Sequence, residues 1–393
     1  MPDRLPDAPW LRREDLPQLV AALGAENVRW VGGAVRDTLL GLPVNDVDAA
    51  TPLLPQTVID RLKAAAIKVV PTGIEHGTVT AVLPEGPVEV TTLRRDVSTD
   101  GRHATVAFAT EWREDASRRD FTINALYADP ETLAVHDWFD GLADLAARRV
   151  RFIGDARQRI REDHLRILRY FRFQSRFGSF PPDAEAAEAC AELAPMLKGI
   201  SRERIANELL RLLGADGAEQ TVRWMAELGV LAVVLPEADV ARYDIAREER
   251  AHGIAADPIR HLAALLPAEP ETAASVASRL RLSNAQKKRL VAAAAREAGD
   301  ADDPRALAYR LGTQSAIDRL LLAGRDASAL RDFVPPVFPL KGGEIVARGV
   351  AAGPEVARVL RAVEARWVAE GFPDRRRVQE LLEDELGDLT GGS

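Results

Sequence analysis

Apolar and polar positions along the chain follow two different rhythms. Up to about residue 140, apolar residues come in short β-branched runs broken by Gly and Pro, at 27–31, 47–50, 69–70, 78–83 and 88–93. Runs of this kind predict strands of a small sheet. Residues 122–128 and 135–139 add strand or strand-edge candidates, and one helical stretch, 34–40, ends at Gly41 and Pro43. From about residue 142 the apolar residues recur with helical spacing. The predicted helices span 142–149, 155–177, 183–196, 201–213, 217–230, 257–266, 270–281, 284–297, 303–312, 315–323, 354–370 and 373–386. No fixed-period repeat is present, and the Pro-rich stretch 334–339 reads as a joint. Strands first and helices afterwards predict an α+β head followed by an all-α remainder.

Charge narrows the picture. The 393 residues carry a formal net charge of −8, so any nucleic-acid surface must be local. Residues 148–176 are the exception, with ten arginines, three acids and no lysine. The single cysteine, Cys190, excludes an intramolecular disulfide and lies in an alanine-rich helical stretch, where a small buried residue is expected. No apolar run approaches the ~18 residues of a membrane span. The first residues, 1–11, lack a signal-peptide core, so a cytoplasmic protein without membrane contact is expected.

The first candidate chemistry is Val31-Gly32-Gly33-Ala34-Val35-Arg36-Asp37, followed by Gly41-Leu42-Pro43 and Asp46-Val47-Asp48. Two glycines between a strand and a helix let backbone approach a phosphate, with free N–H groups behind them. Arg36, on the first turn, can add a phosphate contact. On a strand, the i, i+2 spacing puts Asp46 and Asp48 on one face. Two carboxylates on one face suit Mg²⁺ that also holds substrate phosphates.

G-G-x-V-R-D followed by L-x-G-x-P-x-x-D-x-D resembles the class II CCA-adding tRNA nucleotidyltransferase and bacterial poly(A) polymerase family, within the polymerase-β-like superfamily. Four further segments carry the resemblance in family order. They are Arg118-Arg119-Asp120-Phe121-Thr122-Ile123-Asn124-Ala125; Asp137 to Leu145 as D-x-x-x-G-x-x-D-L; Glu162-Asp163 through Arg166 and Arg169; and Ser201-Arg202-Glu203-Arg204-Ile205 with Glu208. The resemblance covers roughly residues 31–213. It implies a nucleotidyltransferase head (the catalytic palm) at 1–145, a helical neck with a nucleobase-selecting helix at 146–214, a helical body at 215–335 and a tRNA-binding tail at 336–393. It implies tRNA as partner, CTP and ATP as substrates, and no obligate protein partner. Asp46 and Asp48 would hold metal, and Glu89 would assist. Gly32, Gly33, Arg36, Arg119 and Asn124 would serve the nucleotide, with Asp120 ordering the site.

Within 155–177, Asp163, Arg166, Arg169 and Arg172 fall three residues apart, forming one polar stripe on a continuous helix. Cytosine and adenine both present an amine donor beside a ring-nitrogen acceptor. Asp163 can accept from the amine and Arg166 can donate to the ring nitrogen, while uracil and guanine would mismatch both. By resemblance this pair selects C and A, with Arg169 and Arg172 serving base or triphosphate. Residues 94–103 are polar, contain Gly and lack strand periodicity. They read as a surface loop, and by resemblance as the flexible element that switches the pocket from C to A. Arg361, Arg366 and Arg375, Arg376 and Arg377 are candidate tail contacts. His76, His136 and Cys190 are not expected to be sites. A poly(A) polymerase of the same fold and a non-catalytic RNA-binding protein are the rival readings.

Overall fold

The computed structural model describes residues 1–99, 104–241 and 243–390. The chain divides into two compact units, residues 1–236 and 237–393. The expected head and neck lie in the first unit and the expected tail in the second, while the expected body is divided between them.

The first unit is built on a seven-stranded mixed sheet. Its strands are β1 (Arg29–Val31), β2 (Val47–Thr51), β3 (Lys68–Gly73), β4 (Thr78–Leu83), β5 (Gly86–Thr92), β8 (Tyr127–Ala128) and β9 (Val135–His136). They lie in the order β3-β4-β5-β2-β1-β8-β9, and only β2 and β5 run parallel. Alternation decides which side is buried. Val88 and Val90 point into the core, while Glu89 between them is exposed. Helix α1 (Leu16–Leu23) packs on α3 (Pro55–Ala64), and α3 covers β3 to β5 through Val58 and Leu62. Between them in sequence, α2 (Gly33–Leu39) follows β1 directly. Residues 94–103 are not a simple loop. Strand β6 (Arg94–Thr99) pairs with β7 (Ala104–Phe108) in a two-stranded ribbon, and residues 100–103 of this segment lie outside the described residues.

Helices α4 (Trp112–Ser117), α5 (Gly141–Ala146), α6 (Ala156–Glu162), α7 (Arg166–Phe177), α8 (Ala184–Leu193), α9 (Arg202–Leu213), α10 (Ala218–Glu227) and α11 (Val230–Val234) complete the unit. The segment expected as one helix over 155–177 is two helices, α6 and α7. Asp163 is extended at the break, and its carboxylate accepts from the Leu165 N–H, a local turn bond that competes with helix. Thr122–Asn124 is a 3₁₀ turn rather than strand, so β8 is only two residues long. Helix α7 buries Ile167, Leu168, Tyr170, Phe171, Phe173 and Phe177. Phe121, Phe152, Tyr170 and Phe173 meet ring to ring at 5.0 to 6.2 Å. That aromatic contact joins the sheet's end to the helical part of the unit.

The second unit is helical, running from Ile245–Ala251 to Arg375–Thr390. Its centre holds a buried charge cluster. Arg260 bridges Glu249 and Asp318, Arg289 reaches Asp318 and Asp257, and His261 meets Glu249. Its last helices close over Leu340, Ile345, Val359, Val363, Trp367 and Leu381. No helix among the described residues is long and apolar enough to cross a membrane. Cys190 is fully buried, as expected.

The D-x-x-x-G-x-x-D-L segment proves structural. Asp137 accepts from the N–H groups of Phe139, Gly141 and Leu142. Fully buried Asp144 accepts from the Thr122 hydroxyl at 2.6 Å and from Arg149 and Arg151. A Cβ at Gly141 would sit 2.4 Å from the Thr122 carbonyl oxygen. We predict that Gly141→Ala destabilises the unit by about 1–3 kcal/mol, read as a lower midpoint of thermal unfolding.

Candidate active site

Parallel pairing of β2 with β5 sets the acidic face. Asp48 and Glu89 are register partners, and Asp46 lies immediately before β2. Asp48 is partly buried while Asp46 and Glu89 are exposed. Burial, with Glu89 and then Asp46 adding repulsion, lifts the Asp48 carboxyl to about 6, and Arg119 pulls the other way. Among the described residues, no three His, Cys, Asp or Glu side chains stand close enough to cage an ion by themselves. Two hard carboxylates with one further acid nearby still fit a divalent ion whose other ligands are phosphate and water. An ion there would also relieve the repulsion on Asp48.

The glycine pair stands at the end of β1. Gly32 has a φ of 69°, a conformation open to glycine, and a Cβ there would be 3.4 Å from Arg119 Nη1. Gly33 begins α2. Arg119 therefore lies beside Gly32 and near enough to Asp48 to act on its charge, where it can meet a phosphate. Its Nε donates to the Tyr127 hydroxyl at 2.9 Å, and its Nη2 donates to Asp115 at 3.3 Å.

Arg36 occupies a different place from the phosphate clamp its position in sequence predicts. It is buried, stacks on Phe177 at 4.0 Å, and donates to Asp37 and to the Asn124 amide oxygen. Asn124 in turn donates to Asp120 at 2.9 Å, and Arg169 donates to the other oxygen of Asp120 at 2.8 Å. Glu208 on α9 then takes Arg169 at 3.6 Å and Arg172 at 2.6 Å. Arg36, Asn124, Asp120, Arg169, Glu208 and Arg172 thus form one chain of charge-assisted contacts from α2 to α9. The guanidiniums of Arg169 and Arg172 also lie over Phe173.

Asp163 and Arg166 flank the break between α6 and α7. They have separate partners. Asp163 accepts from Arg204 at 2.7 Å, and Arg166 donates to Glu162 at 2.7 Å and to the Arg118 carbonyl at 3.3 Å. The arginine-rich stretch is therefore largely matched by carboxylates distant in sequence. Glu162 and Arg204, from two of the motif segments, and Asp115 and Tyr127, which carry no isolated sequence signal, complete the site. Only the neighbouring motif residues place the latter two.

Residues 28–151 match the Poly A polymerase head domain, and residues 179–242 match a family described as the probable RNA and SrmB-binding site of polymerase A. A mouse (Mus musculus) protein named CCA tRNA nucleotidyltransferase 1, mitochondrial, is 36% identical, over 96% of this chain and 91% of its own. The chain belongs to the class II CCA-adding enzyme and poly(A) polymerase family. The CCA-adding enzyme of Geobacillus stearothermophilus is 41% identical over 52% of this chain and 49% of its own. A solved structure of the Bacillus stearothermophilus CCA-adding enzyme in complex with CTP superposes with a TM-score of 0.71 at 27% identity, covering 96% of this chain and 98% of that one. A Thermotoga maritima CCA-adding enzyme complexed with tRNA shares the fold, with a TM-score of 0.67 at 20% identity over 98% and 99% of the two chains.

Membership of this family fits the head-first, helices-after order of the chain and the mixed sheet. The candidate tail arginines have local partners: Arg366 pairs with Asp384 and Glu385, Arg375 with Glu344, and Arg377 with Glu370 and Glu380. Arg361 Nε donates to the Ala357 carbonyl.

Two buried carboxyls make the site pH-sensitive. Burial opposes their ionisation. The guanidiniums of Arg119 and Arg118 at Asp115, and of Arg169 at Asp120, outweigh it and hold both near 2. A folded-state pKa below the unfolded value (about 3.9) gives stability that is present above pH 4 and lost as pH falls towards 2. Urea titrations at stepped pH should show the unfolding free energy falling across that window. Asp120→Asn should flatten the fall.

Proposed function

We propose that the chain is a CCA tRNA nucleotidyltransferase, adding C, C and A to a tRNA 3′ end from CTP and ATP without a nucleic-acid template. The observation that carries this reading is the near-full-length likeness to the mouse CCA tRNA nucleotidyltransferase, supported by Asp48 and Glu89 as register partners with Asp46 just before β2. In the reaction, the RNA 3′-hydroxyl oxygen bonds to the α-phosphorus of the nucleotide. The bond to the bridging oxygen of the β-phosphate breaks, and pyrophosphate leaves.

Asp46 and Asp48 would hold a divalent cation, for which we assign Mg²⁺. When bound, it supplies positive charge that lowers the hydroxyl pKa and offsets charge developing on phosphate. The chain's own residues supply position. Gly32 and Gly33 let the triphosphate approach backbone, and Arg119 meets its charge in the low-dielectric space beside Asp48. Glu89 faces the attacking oxygen from β5. Arg36, Asp120, Asn124, Arg169 and Arg172 act from beneath, as the buried chain that keeps α7 in place.

Asp163 and Arg166 read the base. The half-exposed Asp163 carboxylate accepts from the exocyclic amine, and Arg166 donates to the ring nitrogen. Uracil or guanine would leave both unmatched, at a cost of about 1–3 kcal/mol per unsatisfied group. The helical remainder would hold the RNA by phosphate contacts and shape.

The test uses the full chain, Mg²⁺, labelled CTP and ATP, and a tRNA transcript ending before CC. Stepwise addition of two C and one A is expected. Asp48→Ala should lower kcat by about 10³-fold or more, the scale for losing a group that acts on the transition state. ATP-only tailing of unrelated RNA would favour the poly(A) reaction. Incorporation by Asp46→Ala and Asp48→Ala at the wild-type rate would overturn the metal assignment.

A further inference from the structure

Asp115 accepts four hydrogen bonds, and no motif considered above includes it. It lies on α4, almost completely buried. One oxygen accepts from the Arg94 N–H at 2.9 Å and from Arg118 Nε at 3.0 Å. The other accepts from the Tyr127 hydroxyl at 2.5 Å and from Arg119 Nη2 at 3.3 Å. Tyr127 belongs to the same arrangement. Its hydroxyl gives its proton to Asp115 and takes the Nε–H of Arg119, and its ring lies 5.1 Å beneath the Arg119 guanidinium.

Neither group can move to follow a rotating arginine. Tyr127 is completely buried and is held edge-on by Trp112 at 6.1 Å and Trp138 at 5.5 Å. Asp115 is held by four donors on three segments. Arg119 is thereby fixed on two of its three nitrogens. Among the described residues its Nη1 makes one long contact, 3.5 Å to the Asn124 carbonyl, and it lies 3.4 Å from where a Cβ at Gly32 would be. Nη1 carries two N–H groups, so it keeps donor capacity for a ligand oxygen on the Gly32 side. Preorganising a charged donor before substrate arrives removes the ordering cost from the binding step.

We propose that Asp115 and Tyr127 are positioning residues for nucleotidyl transfer, holding the Arg119 guanidinium with its Nη1 edge towards the nucleotide's phosphates. The inference rests on the reading of Arg119 as a nucleotide-binding group. Burial and the Asp115 charge both keep the Tyr127 phenol protonated throughout the working pH range, so the relay stays intact. The same Asp115 carboxylate bonds the Arg94 N–H, the first amide of β6, so the ribbon and Arg119 share one anchor.

The test is a mutant cycle on the full chain, with steady-state kinetics in CTP at saturating tRNA transcript and in tRNA at saturating CTP. Tyr127→Phe keeps the ring and removes only the hydroxyl, so it is the deciding variant. Asp115→Asn accompanies it, and circular dichroism melts are recorded for both. Expected results are a five- to tenfold fall in kcat/KM for CTP in Tyr127→Phe, about tenfold or more in Asp115→Asn, and an unchanged KM for tRNA. In an Arg119→Ala background, Tyr127→Phe should cost less than a further twofold, because its effect passes through Arg119. If Arg119→Ala is impaired while Tyr127→Phe stays within twofold of wild type, the positioning role is wrong and Arg119's role survives. If the two losses multiply in full, Tyr127 acts independently and the inference is likewise overturned. Wild-type kcat/KM in Arg119→Ala would remove both readings.

Discussion

The pair between Asp120 and Arg169 is the contact on which the first unit's site depends. It joins the turn after α4 to the middle of α7, and it is buried on the Asp120 side. On one side Asp120 holds Asn124, which takes Arg36 from α2. On the other side Arg169 shares Glu208 with Arg172. A buried ion pair adds little net stability over apolar packing, because two ions must be desolvated. Removing one partner is far more costly, since the other charge is left alone. What such a pair imposes is a single alignment, with α7 at one height relative to the glycine turn. The aromatic contact of Phe121, Phe152, Tyr170 and Phe173 supplies the apolar burial, and slippery packing of this kind would accept several alignments without the ions.

This view redistributes the expected roles among the arginines. The sequence offered Arg36 for phosphate from its place after the glycines, and the resemblance offered Arg119 for the nucleotide and Arg169 and Arg172 for base or triphosphate. In the fold, Arg36 is buried on Phe177 and committed to Asp37 and Asn124, whereas Arg119 keeps a nitrogen directed to Gly32. An arginine fixed at both ends organises, and one fixed at two nitrogens of three can bind. The second unit uses the same chemistry for another end. Arg260, Glu249, Asp318, Arg289 and Asp257 knit its helices from inside, with Arg260 and Asp318 almost wholly buried.

The glycine pair, the strand holding Asp48 and the strands-then-helices order were legible in the sequence pattern, although β2 begins one residue after Asp46. A period of two or 3.6 survives in any context, and Asp48 opposite Glu89 follows once β2 and β5 pair. Four features were not legible. The break at Asp163 was hidden by an unbroken apolar period through Leu165 and Ile167, and a single side-chain-to-backbone bond decides it. The ribbon β6–β7 lacks alternation in its sequence, and backbone pairing defines it. Helices α1, α3 and α4 are short, and strand-like neighbours masked them. Asp115 lay in a polar hexapeptide, and its importance comes from Tyr127 and Arg94, distant in sequence.

Buried charge pairs, and not packing alone, hold the break between α6 and α7, proposed above to read the base, in register with the acidic face. Glu208 tests it most directly, because it is buried on α9 and contacts only Arg169 and Arg172 among the site's residues. Glu208→Gln keeps its shape and removes its charge. The measurement is the ratio of kcat/KM for CTP to that for UTP on a tRNA transcript ending before CC. If the charge pairs hold this alignment, the ratio falls about tenfold in Glu208→Gln, worth about 1.4 kcal/mol of discrimination. A ratio within twofold of wild type, with only the unfolding midpoint lowered, would contradict it.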